Sequence, residues 1–222
     1  MKIQAQLLLL GATSAFVWGG VSVAPSYALN LIGNLPSNDG GTTLIDTNRT
    51  KSVSFSLPSG DSYNLDNVIL RLSTSYSTGD VPLLTIRNDG AGTAGSTVLA
   101  NFTNPTPPSV GTNADYTFTP TSSFAFQPNN TYWLYLTASA GVFSWNRSNP
   151  AVAPSGIATF GQYQSNGSGT STVYNSFQIN ATAAAVPWET DALPVVGSTV
   201  LFGLGLWGKR KLAQKKIDSP QE

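Results

Sequence analysis

Cysteine and histidine are absent from the 222-residue chain, and glutamate occurs only at positions 189 and 222. Without cysteine the chain has no disulfide framework and no thiolate metal site. Without histidine, catalytic triads with an imidazole base are excluded, as are zinc sites built on nitrogen and sulfur ligands. The lack of these side chains between Leu29 and Ala185 favours a protein with no enzymatic activity of its own and no cofactor.

Charged residues make up only 10% of the chain, and the formal net charge is zero. The balance is uneven, because five of the basic residues lie after position 208. The segment between Leu29 and Val186 is slightly acidic, and its charged residues are Arg49, Lys51, Arg71, Arg87, Arg147, Asp39, Asp46, Asp61, Asp66, Asp80, Asp89 and Asp115. Nucleic-acid binding requires clustered positive charge, so no nucleic-acid partner is expected.

The N-terminus has the layout of a secretory signal peptide. Met1 and Lys2 precede an apolar stretch from Leu7 to Val23, and Ser26-Tyr27-Ala28 supplies small residues before a cleavage site. We predict that residues 1–28 are a signal peptide, that signal peptidase cleaves before Leu29, and that the mature chain begins outside the cytoplasm. Retention of this stretch as an N-terminal anchor is the alternative.

The C-terminal end has three parts in order. A polar motif, Val186-Pro187-Trp188-Glu189, belongs to a linker over residues 181–191, and an apolar run over residues 192–208 precedes a basic tail, residues 209–222. The basic residues of the tail are Lys209, Arg210, Lys211, Lys215 and Lys216. A helix over the apolar run would span about 25 Å of a membrane core that is about 30 Å thick. We predict a transmembrane helix with the basic tail in the cytoplasm and everything before Trp188 outside.

This layout resembles the C-terminal sorting signals of the PEP-CTERM type, which exosortases read in bacteria. Pro187-Trp188-Glu189 replaces the usual Pro-Glu-Pro and is similar to a cyanobacterial variant with an aromatic residue, normally Phe, between Pro and Glu. The resemblance implies membrane insertion, followed by cleavage near the motif by a sorting transpeptidase. The domain would then be at the cell surface or extracellular. An ordinary single-span membrane anchor is the alternative.

The exported segment alternates apolar and polar residues in short runs bounded by Gly, Asn and Pro clusters, the pattern of half-buried strands joined by tight turns. Strands are predicted at Val53–Leu57, Val68–Leu72, Tyr116–Phe118 and Val173–Ile179. Eight to ten such strands predict an all-β fold over residues 29–180, an antiparallel β-sandwich of jelly-roll type.

Tyr132-Trp133-Leu134-Tyr135-Leu136 is apolar on both faces, which predicts a central strand. In such a strand Trp133 and Tyr135 point away from the other three side chains. We expect Val142–Asn146 to pair with this strand as a hairpin, and the Gly- and Ser-rich stretch Gly161–Thr172 to be a flexible surface loop.

Several runs between Asn34 and Ile179 resemble bacterial "choice-of-anchor" exported domains, most closely the R type. The runs that carry this resemblance are Val68–Ser73, Leu84–Gly92 with Gly95-Ser96, Phe124–Leu134 and Phe143–Trp145. The resemblance implies a surface domain that occurs with different C-terminal anchors, and it brings no catalytic residues.

Few side chains remain as candidates for chemistry. Asp61 and Asp66 are close in sequence and could serve as the acid and the base or nucleophile of glycoside hydrolysis, but both flank turn-like stretches, where Asp is favoured for backbone hydrogen bonds. Lys51, between Thr50 and Ser52, is the domain's only lysine and the only base available to a Ser-Lys dyad, yet its isolated position favours a solvated side chain. Asn88 and Asp89 could supply oxygen ligands to calcium, although an Asp-Gly hairpin turn explains them without an ion.

Aromatic residues leave one binding hypothesis open. Trp133 and Tyr135 lie two positions apart, about 7 Å along one strand face, which suits a platform for sugar rings. Trp145 is a further candidate. The alternative is that these rings fill the core. Sequence alone therefore predicts a non-enzymatic exported surface or matrix protein, with a module that binds extracellular polysaccharide as the alternative function.

Overall fold

The computed structural model describes residues 28–108 and 111–184, and these residues form strands, turns and loops without a helix. The first seven strands are β1 (Leu29–Gly33), β2 (Gly41–Ile45), β3 (Lys51–Ser56), β4 (Tyr63–Leu72), β5 (Val81–Asp89), β6 (Ala94–Thr103) and β7 (Ala114–Pro120). The remaining six are β8 (Ala125–Phe126), β9 (Thr131–Ala140), β10 (Phe143–Arg147), β11 (Thr159–Ser165), β12 (Ser168–Ser171) and β13 (Phe177–Ala183).

The strands pair antiparallel in one continuous order, β1-β13-β4-β7-β6-β5-β9-β3-β11-β12. Off this path, β2 pairs with β10, and β8 and β10 pair with β4. We call β1, β13, β4, β7, β2, β8 and β10 the first half and the other six strands the second half. The prediction of an all-β antiparallel fold is confirmed, with thirteen strands in the described residues where eight to ten were expected.

Aromatic side chains from the two halves meet in the core. Phe55 of β3 lies edge-on to Phe126 of β8, with ring centroids 5.6 Å apart. Tyr163 of β11 lies 6.4 Å from Phe177 of β13, and its hydroxyl donates to the carbonyl of Asn175 at 2.6 Å. Burial of such side chains from both halves is the main favourable contribution to folding.

A register shift in β4 explains how the apolar side chains of this ten-residue strand all stay in the core. Tyr63 and Leu65 are buried at odd positions, whereas Val68, Leu70 and Leu72 are buried at even positions. The pairing of β4 with β13 shifts by one residue between these two sets. This bulge restores the apolar alternation that an unbroken strand would lose.

Strand β9 is central, as its sequence predicts. It pairs with β3 on one side and β5 on the other. Tyr132, Leu134 and Leu136 belong to the core cluster, and Trp133 is buried on the opposite face. The predicted facing of these residues is therefore confirmed.

The predicted hairpin between β9 and Val142–Asn146 is wrong. Strand β10 pairs along β2 and touches β4 at Trp145 and Leu72. Both edges of β9 are already occupied, so the chain after β9 crosses to the first half. Asp80 fixes this crossing, because its carboxylate accepts the Val142 N–H at 2.9 Å beside Gly141, whose φ is 77°.

The prediction of a flexible loop over Gly161–Thr172 is also wrong, because this stretch forms the hairpin of β11 and β12. Asn166 and Gly167 have φ values of 54° and 71°, and two-residue hairpin turns of type I′ need positive values at both positions. The last strand also differs from prediction. It begins at Phe177 rather than Val173 and continues to Ala183, past the expected domain end at 180.

Candidate functional site

The aromatic candidates for sugar binding lie largely in the interior. Trp133 is 1% exposed and Trp145 is 0% exposed. The indole N–H of Trp145 donates to the Ser176 carbonyl at 2.8 Å. Tyr135 is half-buried, with the Arg87 guanidinium carbon 3.7 Å from its ring centroid. The proposal of an exposed platform is thus corrected for Trp133 and Trp145, since neither ring presents a face on which a sugar could stack.

Asn88 and Asp89 stabilise the turn between β5 and β6. The Asp89 carboxylate accepts the indole N–H of Trp133 at 2.7 Å and the Gly92 N–H at 3.2 Å. The Asn88 side-chain oxygen accepts the Thr97 N–H at 3.1 Å. These bonds account for both side chains without an ion. Among the residues that the structure describes, no three or more carboxylates lie together in a group that could hold a metal.

A groove of about 550 Å³ opens beside this turn. We call it the β8 groove, because the segment around β8 forms one wall, and the end of β5 with Leu99 of β6 forms the other. Its lining residues are Asn88, Asp89, Leu99, Phe124, Ala125, Gln127, Asn129, Asn130, Thr131 and Tyr132. A volume of this size lies within the range of small-ligand sites.

Packed aromatic rings shape the floor of the β8 groove. Phe124 lies edge-on to Phe126 and Tyr132, with ring centroids 5.0 Å and 6.0 Å away. The Tyr132 hydroxyl accepts the Gln127 N–H at 2.8 Å, which fixes the segment that leads into β9. Edge-on aromatic packing of this kind orients each ring, so the half-buried Phe124 has a defined position in the groove.

The polar side chains of the groove are amides, the hydroxyls of Thr131 and Tyr132, and the Asp89 carboxylate. Asn129 and Asn130 are exposed, and Asn129 adopts a φ of 61° at the turn before β9. Asn130 donates weakly to the Tyr132 hydroxyl at 3.5 Å, which leaves its side-chain oxygen available. The lining contains no cationic residue, and the Asp89 carboxylate would repel an anion. The neutral hydrogen-bonding groups beside the Phe124 ring suit a neutral polyol better.

The prediction that Lys51 is solvated is wrong, because Lys51 forms a buried cluster with two serines. Lys51 is 1% exposed, and its Nζ donates to Ser171 Oγ at 2.6 Å and Ser165 Oγ at 3.1 Å. Burial, with a smaller contribution from Arg147, lowers the pKa of Lys51 to about 8. The neighbouring Ser52 is not its partner, because adjacent strand residues point to opposite faces. Only the tertiary pairing of β3 with β11 brings these groups together.

The remaining predicted site residues lie outside the described residues. These are the sorting motif Val186, Pro187, Trp188 and Glu189, the basic residues Lys209, Arg210, Lys211, Lys215 and Lys216, the signal peptide up to residue 27, and the helix over residues 192–208. Within residues 28–108 and 111–184, no helix is long and apolar enough to cross a membrane.

The comparisons with known proteins give no family for this chain. Neither the protein-family models nor the curated proteins contain a match to it.

Proposed function

We propose that this chain is an exported cell-surface or extracellular-matrix protein without enzymatic activity, delivered by a C-terminal sorting signal of the exosortase type. The observation that carries the proposal is the position of the folded strands within the chain. The first strand begins at Leu29, the residue after the predicted signal-peptidase site, and the last ends at Ala183, three residues before the sorting motif at Val186. The folded part thus fills the interval between the two predicted processing signals.

The pairing of the terminal strands supports the same proposal. Strands β1 and β13 are antiparallel neighbours, with Leu29 opposite Ala181. The chain therefore enters and leaves the folded part at one place. The Ala184 N–H donates to the Ser62 carbonyl at 2.9 Å, so backbone pairing reaches a residue two positions before the motif. Cleavage at either signal would leave every described strand intact.

The fold proposed for this exported part is a β-sandwich of jelly-roll type, with the first and second halves as its two sheets. Support comes from the ring contacts between the halves and from the short β6–β7 pairing, which covers only Phe102 opposite Pro120 and Thr103 opposite Thr119. A fold held by core packing suits an exported chain that lacks disulfides.

On the proposed route to the surface, two enzymes process the chain: signal peptidase and a sorting transpeptidase. Signal peptidase removes residues 1–28, and the helix over residues 192–208 then arrests in the membrane, with Lys209 to Lys216 on the cytoplasmic side. A sorting transpeptidase cuts near Pro187 to Glu189. The lack of His and Cys throughout, and of Glu between Leu29 and Ala185, supports the non-enzymatic role.

Intact mass and C-terminal peptide mapping of protein from its native host test the sorting proposal. We expect a form that begins at Leu29 and ends near Trp188. The Pro187→Ala variant should retain the tail, whereas the matched Thr190→Ala variant, outside the motif, should be processed normally. Peptides from Lys211 to Glu222 on most wild-type molecules would show a permanent single-span anchor instead.

The second candidate function, glycan binding, is supported by the β8 groove rather than by the buried tryptophans. Retention on immobilised dextran, with dextran sulfate as the charged counterpart, tests it. We expect retention on the neutral polymer alone, because the Asp89 carboxylate repels sulfate. Asn130→Ala should weaken retention, and Asn48→Ala, an exposed Asn outside the groove lining, should not. Equal retention of both variants would contradict a site in the groove.

A further inference from the structure

The hydroxyl of Ser171 and the amine of Lys51 form a hydrogen-bonded pair with a short distance between oxygen and nitrogen. The distance from Lys51 Nζ to Ser171 Oγ is 2.6 Å. Ser171 Oγ also accepts the Val173 N–H at 3.2 Å. A serine hydroxyl has two acceptor lone pairs and one proton. When the amine is neutral, the hydroxyl can rotate so that its proton lies along the contact with Nζ, whose lone pair then accepts it.

The surroundings of Lys51 lower its pKa, which leaves part of the amine neutral near pH 7. No carboxylate of the described residues forms an ion pair with the Lys51 Nζ. The Tyr163 ring centroid lies 5.5 Å away and favours the ammonium form, but burial outweighs this contact. Arg147 adds a like charge nearby. The Tyr163 hydroxyl donates to the Asn175 carbonyl, and burial raises its pKa well above the usual value, so it stays protonated. With a Lys51 pKa of about 8, roughly a tenth of the amine is neutral at pH 7.

Ser171 is a partly exposed residue, although its partner Lys51 is buried. Strand β12 is the last strand of the order and pairs only with β11. Ser171 is half-buried, and its neighbours Thr170 and Thr172 are exposed. We expect a reagent to reach the hydroxyl through the exposed part of Ser171 on this terminal strand.

We propose that Ser171 is a site of O-acylation, with Lys51 as the proton acceptor and an activated ester as the acyl donor. This goes beyond the proposed export and sorting. A nucleophile held within hydrogen-bond distance of a base is the arrangement that activates serine. Ser171 Oγ attacks the ester carbonyl carbon, forming the new C–O bond as its proton passes to Lys51 Nζ. Collapse breaks the bond to the leaving alkoxide, which takes the proton, so acyl-serine and a free alcohol remain.

Labelling of the full-length chain with p-nitrophenyl acetate, followed by peptide mapping, tests this proposal. We expect one acetyl group on Ser171, at a rate that rises as pH increases through about 8. Ser171→Ala should abolish that label. Thr172→Ala, at an exposed neighbour of Ser171, should leave the label and its rate unchanged.

Lys51→Arg separates proton acceptance from packing. Arginine keeps a positive charge and hydrogen-bond donors but stays protonated, so it cannot accept the proton. A general base contributes about 100-fold or more, so the rate at Ser171 should fall by about that factor. Thermal melting of each variant checks the fold, and Lys51→Met provides a second variant without a base. An acetyl group on Lys51 itself, or undiminished Ser171 labelling in a folded Lys51→Arg or Lys51→Met variant, overturns the proposal.

Discussion

Replacement of Asn34 by alanine tests the account of the core most directly. Asn34 is 5% exposed and connects three backbone groups. Its side-chain oxygen accepts the Phe177 N–H at 2.9 Å, and its amide donates to the carbonyls of Asn175 at 3.2 Å and Val152 at 2.9 Å. The end of β1, the start of β13 and the loop after β10 are therefore joined through one side chain.

The loss of free energy of unfolding in Asn34→Ala depends on which of the three backbone groups is left without a hydrogen bond. The Asn175 carbonyl keeps the Tyr163 hydroxyl as a donor, and Val152 is exposed, so water can replace the lost bond there. The Phe177 N–H is buried and loses its side-chain acceptor. An orphaned buried donor costs about 1–3 kcal/mol, so we expect Asn34→Ala to lower the free energy of unfolding by about 2–3 kcal/mol.

Tyr163→Phe is the matched control. It removes one hydrogen bond but leaves the Asn175 carbonyl bonded to Asn34, so we expect a loss of only about 1 kcal/mol. Urea unfolding followed by fluorescence of the buried Trp133 and Trp145 measures both variants. A cost for Asn34→Ala below about 0.5 kcal/mol, or a larger cost for Tyr163→Phe than for Asn34→Ala, would refute the reasoning about orphaned groups.

Three further predictions concern other contacts. Asp89→Ala removes the acceptor of the Trp133 indole, and unfolding should become easier by about 1–3 kcal/mol in urea titrations. The hydrogen bond from Arg71, opposed by desolvation, lowers the pKa of Asp39. The folded state therefore binds fewer protons at this carboxyl than the unfolded state does. The stability that the pair contributes is present above the ordinary pKa of 3.8 and is lost as pH falls below it. Asp39→Asn should accordingly flatten the fall in melting temperature between about pH 4 and pH 2, and an unchanged slope would contradict the pairing. Gly167→Ala should lower stability by about 1 kcal/mol, because φ is 71° there; a neutral result in thermal melting would argue against a strained turn.

The all-β class and the central strand could be predicted because they depend on local alternation. Tyr132, Leu134 and Leu136 read as one face of a strand whatever lies beside them, and the structure buries that face. The β11–β12 turn was also visible in the sequence as Asn166-Gly167, a strong hairpin signal. The Gly- and Ser-rich composition around it obscured that signal and led to the prediction of a loop.

Strand partners could not be predicted in the same way. Strand β10 follows β9 after a short turn, yet it joins β2 and β4 because both edges of β9 are occupied by β3 and β5. Which strand edges are already paired depends on the order of strands in the whole sheet, and the local alternation of apolar and polar residues does not contain that order. The same limit hid the Lys51–Ser171 contact, since those residues are 120 positions apart in the chain.

By itself, the sequence determined the strand-forming character of residues 29–183 and the order of the segments that flank them, because period-two alternation and terminal composition are local properties. It also determined what chemistry is absent, since a missing His or Cys cannot be supplied by folding. Only the tertiary structure decided that Trp133 and Trp145 are interior and that Lys51 is buried against two serines. The same structure placed a groove between the segment around β8 and the end of β5. Those outcomes depend on which strands become neighbours, and residues distant in the chain decide that pairing.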